Sequence, residues 1–201
     1  MKGSKSIFKS KIEEKEKLLL HCCCAPCTGY VLECLMREFE VTLLFYNPNI
    51  RPDEEYRKRR EALDILLAKT NMASTVEVLD YECDYDYEAF SKVALPLQNE
   101  PEGGKRCSMC YEFRLRETAV RAVKEKFDIF ATTLSVSPHK NASKLNEIGI
   151  KLSGELNVKY LEADFKKNDG HKRSIELAKK HAIYIQNYCG CEYSLQSKSG
   201  G

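Results

Sequence analysis

The chain has 201 residues, 43% of them hydrophobic, with 32 Lys plus Arg against 30 Asp plus Glu and a formal net charge of +2. That length suits one domain with a real core. The balanced charge does not mark a globally basic nucleic-acid binder, although it leaves room for local basic patches, and no run approaches the ~18 apolar residues of a membrane span.

Residues 1–16 read as a flexible, charged N-terminal segment without the apolar stretch of a secretory signal. A single α/β metal-binding catalytic domain is expected over 17–194, followed by a flexible tail over 195–201. LLLHC (18–22) reads as a short buried strand, and Val31, Leu32, Leu35, Met36 and Phe39 as a helix over 28–39. VTLLFY (41–46) is a second strand, closed by the turn signal NPNIRP. A charged helix is expected over 53–69 with Tyr56, Leu63 and Leu67 on one face, then a strand at VEVL (76–79). Residues 80–106 read as a long irregular loop, a kind of segment that is often functional. Leu115, Ala119, Ala122 and Val123 mark a helix over about 108–126, IFATTL (129–134) a fourth strand, and Leu145, Ile148 and Leu152 a further helix. VKYLEA (158–163) is a fifth strand, and Ile175, Ala178, Ala182 and Ile185 mark the last helix. This alternation predicts an α/β fold with a mainly parallel sheet flanked by helices. Ligands of such sheets bind beyond the carboxyl ends of the strands, where the 22–27, NPNI and SPHK turns all fall.

With a charged start and no signal, the chain is expected in a reducing, cytoplasmic compartment, where its ten cysteines point to metal or redox chemistry rather than disulfides. Eight of them form three groups: Cys22, Cys23, Cys24 and Cys27; Cys107 and Cys110; Cys189 and Cys191 around Gly190. A C-x2-C lets two thiolates reach one ion, and at a helix start the dipole favours the thiolate. Gly190 allows a sharp turn that lets both flanking sulfurs point the same way. Cys22 belongs to the strand, Cys34 reads as core, and Cys83 as incidental. One structural zinc takes four sulfurs. Seven good candidates favour an iron–sulfur cluster, with room for a second metal. His21 reads as a core histidine, and His139, His171 and His181 as surface residues.

Taken together, HCCCAPC (21–27), FYNPNI with EY (45–56), EPEGGKRCSMC (100–110), TTLSVSPHKN (132–141), DFKKNDGHKRS (164–174) and YCGCEYS (188–194) resemble the QueH-type, cobalamin-independent epoxyqueuosine reductases. The resemblance implies a fold related to the PP-loop and adenine nucleotide alpha hydrolase-like group. It also implies a 4Fe-4S cluster with an additional mononuclear iron, and reduction of the epoxide of epoxyqueuosine at the tRNA wobble position to give queuosine. The ligands it implies are Cys23, Cys24, Cys27, Cys107, Cys110, Cys189 and Cys191. The pattern calls for Tyr-Arg-Gln before YCGC, and here the chain reads Tyr184-Ile185-Gln186.

No dinucleotide-binding G-x-G-x-x-G is present, so electrons would arrive from an external ferredoxin- or flavodoxin-like donor. Asp53, Glu54, Tyr56 and Asp86 are candidate proton donors; Asp53, Tyr56 and Asp86 are taken as the catalytic set. For contact with the tRNA, Lys166, Lys167, Lys172 and Arg173 flank a glycine turn, whereas Arg57, Lys58, Arg59 and Arg60 read as a solvated helix face. Two other readings stand beside this one. An iron–sulfur-dependent tRNA thiolase would carry an S-G-G-x-D-S loop where this chain has CCCAPCTG. A zinc-stabilised RNA-binding module would hold zinc alone.

Overall fold

The computed structural model describes residues 15–79 and 85–199. Cys83 and most of the expected N-terminal segment lie outside the described residues. Five strands, β1 (Lys17–His21), β2 (Glu40–Leu44), β3 (Glu77–Leu79), β4 (Ile129–Thr132) and β5 (Lys159–Tyr160), form one sheet in the order β3-β2-β1-β4-β5. Every pairing is parallel. Short apolar runs build this sheet because both of its faces are covered, as the period-two pattern of a strand requires. Leu18, Leu20, Val41, Leu43, Ile129 and Ala131 enter one core; Leu19, Leu44 and Phe130 enter the other.

Helices α1 (Ala25–Leu35), α2 (Asp53–Lys69) and α6 (Gly170–Lys180) supply residues to the first core, and α4 (Lys105–Lys124) and α5 (Ala142–Leu156) to the second. Strand order reverses between β1 and β4, which makes the end of β1 the switch point where such sheets bind ligands.

Four expectations are corrected. The stretch 80–106 is not one irregular loop. α3 (Tyr87–Ala94) forms there, with Asp86 accepting from Ala89 N at 3.0 Å as its cap, and a 3-10 turn covers Leu95–Leu97. Eight residues with Phe90 and Ala94 buried are too few to show a helical period. The last helix stops at Lys180 rather than running through Ile185: Ala182 adopts φ 49, and Ile183 N bonds back to Ala178 O at 2.8 Å, so Ile183 fills the core position expected of Ala182. Cys34 is exposed on α1, not core. Arg59, expected on a solvated face, is 2% exposed. A final helix, α7, runs over Glu192–Ser199.

Candidate metal centre

Three loops bring seven cysteines to the carboxyl edge of the sheet. In the first, β1 ends and α1 begins within three residues. Cys24 is the extended N-cap, Pro26 occupies the first turn, and that turn holds no acidic residue. Proline tolerates this place because its missing N–H is an orphan anyway. The sulfurs of Cys23, Cys24 and Cys27 all lie within 4.8 Å of one another, with Cys23 and Cys24 Sγ 3.6 Å apart. Tetrahedral sulfurs on one ion with ~2.3 Å bonds stand about 3.8 Å apart, so the trio fits a shared metal. Cys22 points away: it is fully buried, and its thiol donates to Leu44 O at 3.4 Å.

The trio holds charge as a unit. Hydrogen bonds from Cys24 and Cys27 push the Cys23 thiol well below the usual range, helped by Arg114, whereas the Cys23 thiolate holds Cys24 and Cys27 up. Burial pushes Cys22 far up, into its neutral form.

The second group opens α4. Gly103, at φ 88, turns the chain so that its N–H donates to Cys107 Sγ at 3.2 Å. Arg106 donates to the carbonyls of Leu97 and Gln98 at 3.3 and 2.8 Å and lies over the Tyr193 ring at 4.6 Å, tying this loop to α7. Cys110 and Arg114 follow Cys107 at helical spacings on one face.

The third group is the Cys189-Gly190-Cys191 turn, with sulfurs 3.5 Å apart. Gly190 adopts φ +112, and a Cβ there would meet Ile50 Cγ1 at 2.9 Å. Arg51 N bonds to Gly190 O at 2.8 Å. Arg59 fastens the turn to α2: it donates to Cys189 O at 3.2 Å and Tyr188 O at 3.1 Å, while Glu55 takes its Nε at 2.7 Å and the Tyr184 hydroxyl at 2.8 Å. The hydrogen bond to Cys191 pulls Cys189 down to about 4, against burial and with help from Lys140, and the same contact pushes Cys191 up.

Two spaces join these groups. A cleft of ≈ 230 Å³ is lined by Cys23, Cys27 and Cys189 together with His139, Lys140 and His171. A small space of ≈ 20 Å³ is lined by Cys107, Cys110, Cys189 and Cys191. Asn49 lines it too, and its buried Oδ1 has no hydrogen-bond partner. A thiol-rich space with an orphaned oxygen and nearby cations fits a metal–thiolate group.

Beneath the thiols lies a buried polar net. His21 Nδ1 lies 2.9 Å from Thr132 Oγ1, and its Nε2 lies 3.1 Å from Tyr46 O and 3.3 Å from Arg114 Nε. Burial, then Arg114, lowers His21 to about 3, which makes it the neutral core histidine expected. Asn47 accepts from Arg114 and donates to Cys22 O at 2.9 Å.

The polar residues named from sequence are placed elsewhere. Asp53 is exposed and pairs with Arg51 and the Tyr85 hydroxyl. The Tyr56 ring packs against Phe45 and Tyr85, and Asp86 caps α3. None of the three lines either space. Lys167, Lys172 and Arg173 are exposed at the start of α6, whereas Lys166 is half-buried and donates to Lys140 O at 3.0 Å. Sequence reasoning missed Arg114, Lys140, Arg59 and Asn49. For Arg114 a signal existed: it follows Cys107 by seven and Cys110 by four on one helix.

Fold and site together define a parallel α/β protein with a cysteine cluster that could hold a metal at its switch point. A family model described as "Epoxyqueuosine reductase QueH" matches residues 18–197. Curated relatives of the same description come from Streptococcus pyogenes serotype M1 (41% identical, covering 92% of this chain and 74% of the relative), Staphylococcus epidermidis (41%, 90% and 77%) and Acinetobacter baylyi (37%, 96% and 87%). The chain belongs to the epoxyqueuosine reductase QueH family. No helix among the described residues is long and apolar enough to cross a membrane.

Proposed function

We propose that this chain is a tRNA epoxyqueuosine reductase: it removes the epoxide oxygen of epoxyqueuosine in tRNA, with two electrons and two protons, giving the alkene of queuosine and water. Family membership, together with seven cysteines converging on one sheet edge, carries this reading. Cys23, Cys24, Cys27, Cys107, Cys110, Cys189 and Cys191 would hold a 4Fe-4S cluster and an additional mononuclear iron. Bound there, these metals would supply electrons singly and a Lewis-acid position for the epoxide oxygen. Electrons come from an external ferredoxin- or flavodoxin-like carrier.

The protein's own part is to shape the cleft and deliver protons. His139, Lys140 and His171 line the cleft and stand within the space a nucleoside would enter; Asp53, Tyr56 and Asp86 are the donors named from sequence. Substitutions D53N, Y56F, D86N, H139Q and H171Q, each assayed for kcat, separate these assignments. D86N preserves the helix cap, so loss of turnover there marks chemistry rather than folding. Lys167, Lys172 and Arg173, with Lys166 as a brace, would meet the tRNA backbone. We also assign the fold to the PP-loop and adenine nucleotide alpha hydrolase-like group, on the all-parallel sheet with its switch beside β1.

The test is to purify the protein anaerobically, measure iron, zinc and acid-labile sulfide, record EPR after dithionite, and assay epoxyqueuosine tRNA by nucleoside mass spectrometry. About four or more irons and about four sulfides per chain, with queuosine formed, support the reading. Zinc alone, with no cluster on reconstitution, overturns it in favour of an RNA-binding module. Tight ATP binding would favour the thiolase, although metal ligands occupy the place of its phosphate loop.

A further inference from the structure

Two cations stand among the seven cysteines, and the carboxylate that lines the cleft with them, Glu102, is exposed and meets Ser194 Oγ at 3.5 Å rather than either cation. Four arginines are buried in the described residues: Arg59, Arg106, Arg114 and Arg121. Arg59 pairs with Glu55 and Arg121 with Glu117. Arg106 rests on backbone carbonyls at the end of a 3-10 turn. Arg114, 3% exposed, bonds to the neutral Asn47 and His21 and lies beside the Cys110 and Cys23 thiols, with no carboxylate paired to it among the described residues. Lys140 lies over the Tyr111 ring at 5.8 Å, and its main chain is held by Lys166. Neither Arg114 nor Lys140 pairs with a carboxylate among the described residues. Burying a cation without an anion is strongly unfavourable, so an anion belongs beside Arg114, and half-buried Lys140 lines the same spaces.

Their position says which one. Arg114, Lys140 and Cys189 line both spaces, the larger cleft with Cys23 and Cys27 and the smaller one with Cys107, Cys110 and Cys191. The two cations therefore stand at the junction of all three cysteine groups.

We infer that Arg114 and Lys140 are the fixed counter-charges of the metal–thiolate assembly, placed to favour its reduced state. This rests on the metal-centre reading above. Several thiolates on iron leave a net negative group, and an added electron makes it more negative. A cation within the same small space favours that electron, and for buried Arg114 the low dielectric leaves the attraction poorly screened. Arg114 is a positioning residue: Asn47 ties it to the turn after β2 and His21 to the end of β1, so its charge stays at the junction.

The experiment compares wild type with R114M, R114K, K140M and the distant surface variant K159M, each as the full chain reconstituted anaerobically. Three quantities are read: the midpoint potential of the cluster in a dithionite titration followed by EPR, the rate of iron loss to a chelator, and the unfolding temperature with and without metal. R114M and K140M are expected to shift the potential to more negative values and to lose iron at least tenfold faster, with a larger drop in unfolding temperature for the loaded than for the metal-free form. R114K should fall between, and K159M should match wild type. An unchanged potential and iron retention in both R114M and K140M overturns the inference. So does an equal loss of stability in loaded and metal-free protein, which would make Arg114 a structural pin alone. Should wild type take up no cluster, the metal-centre reading fails first, before any variant is compared.

Discussion

At the scale of single residues, the site depends on charges that sequence inspection assigns to solvent. Arg59 sits in a basic run, Arg57 to Arg60, yet its side chain is 2% exposed and that of Glu55 only 9%. Removing one partner of a buried, hydrogen-bonded pair strands the other charge, at about 3–5 kcal/mol. R59M should therefore destabilise the metal-free protein by about 3 kcal/mol in urea unfolding and also release the Cys189–Cys191 turn. A measured loss below about 1 kcal/mol would contradict the clamp. His21 makes a second prediction. Its folded pKa lies near 3 against an ordinary 6.5, so the unfolded chain binds the extra proton. Its contribution is fully present above pH 6.5 and is lost as pH falls toward 3, at up to about 1.4 kcal/mol per pH unit. H21Q should flatten that part of the stability–pH curve of the metal-free protein; an unchanged slope would show that His21 is not held neutral.

At the scale of elements, the helices end in ways their residues do not advertise. α2, α4 and α6 each close on a residue with left-handed backbone, Asn71, Lys126 and Ala182, rather than on glycine. In each case the next residue bonds back five positions: Met72 to Leu67, Phe127 to Ala122, Ile183 to Ala178. A side chain in this region carries a steric penalty that glycine lacks. A182G should stabilise the protein by roughly 0.5–1 kcal/mol in denaturant unfolding, with no change in metal content. Destabilisation there would mean that the Ala182 methyl packs usefully despite its backbone. The same absence of glycine explains why the last helix reads five residues too long, through Ile185. α3 is the opposite error: its cap at Asp86 is legible, but eight residues give too little period to outweigh the proline and glycine that follow.

At the scale of the whole molecule, strand order places the parts. With β1 and β4 adjacent, the turns after both meet over one edge, and α6 brings Lys172 and Arg173 to the rim of the same cleft through His171 and Ser174. Cations on phosphate release counterions, and each one removed should lower the salt slope of binding by about one. K172A/R173A should therefore weaken binding of epoxyqueuosine tRNA and reduce the log–log salt slope by about two in filter or anisotropy titrations. An unchanged slope would place the tRNA on another face.

The sequence alone determined what depends on local pattern. Apolar runs of strand length between amphipathic stretches make an α/β sheet, α2 was readable residue for residue over 53–69, and three clusters of cysteine point to metal. Only the tertiary structure decided which groups stand beside those thiols. Arg59, Arg114, Lys140 and Asn49 come from different elements, and their roles follow from burial and from the groups each one meets there. Neither property exists along a chain; both arise when parallel strands carry distant loops to one edge and exclude water between them.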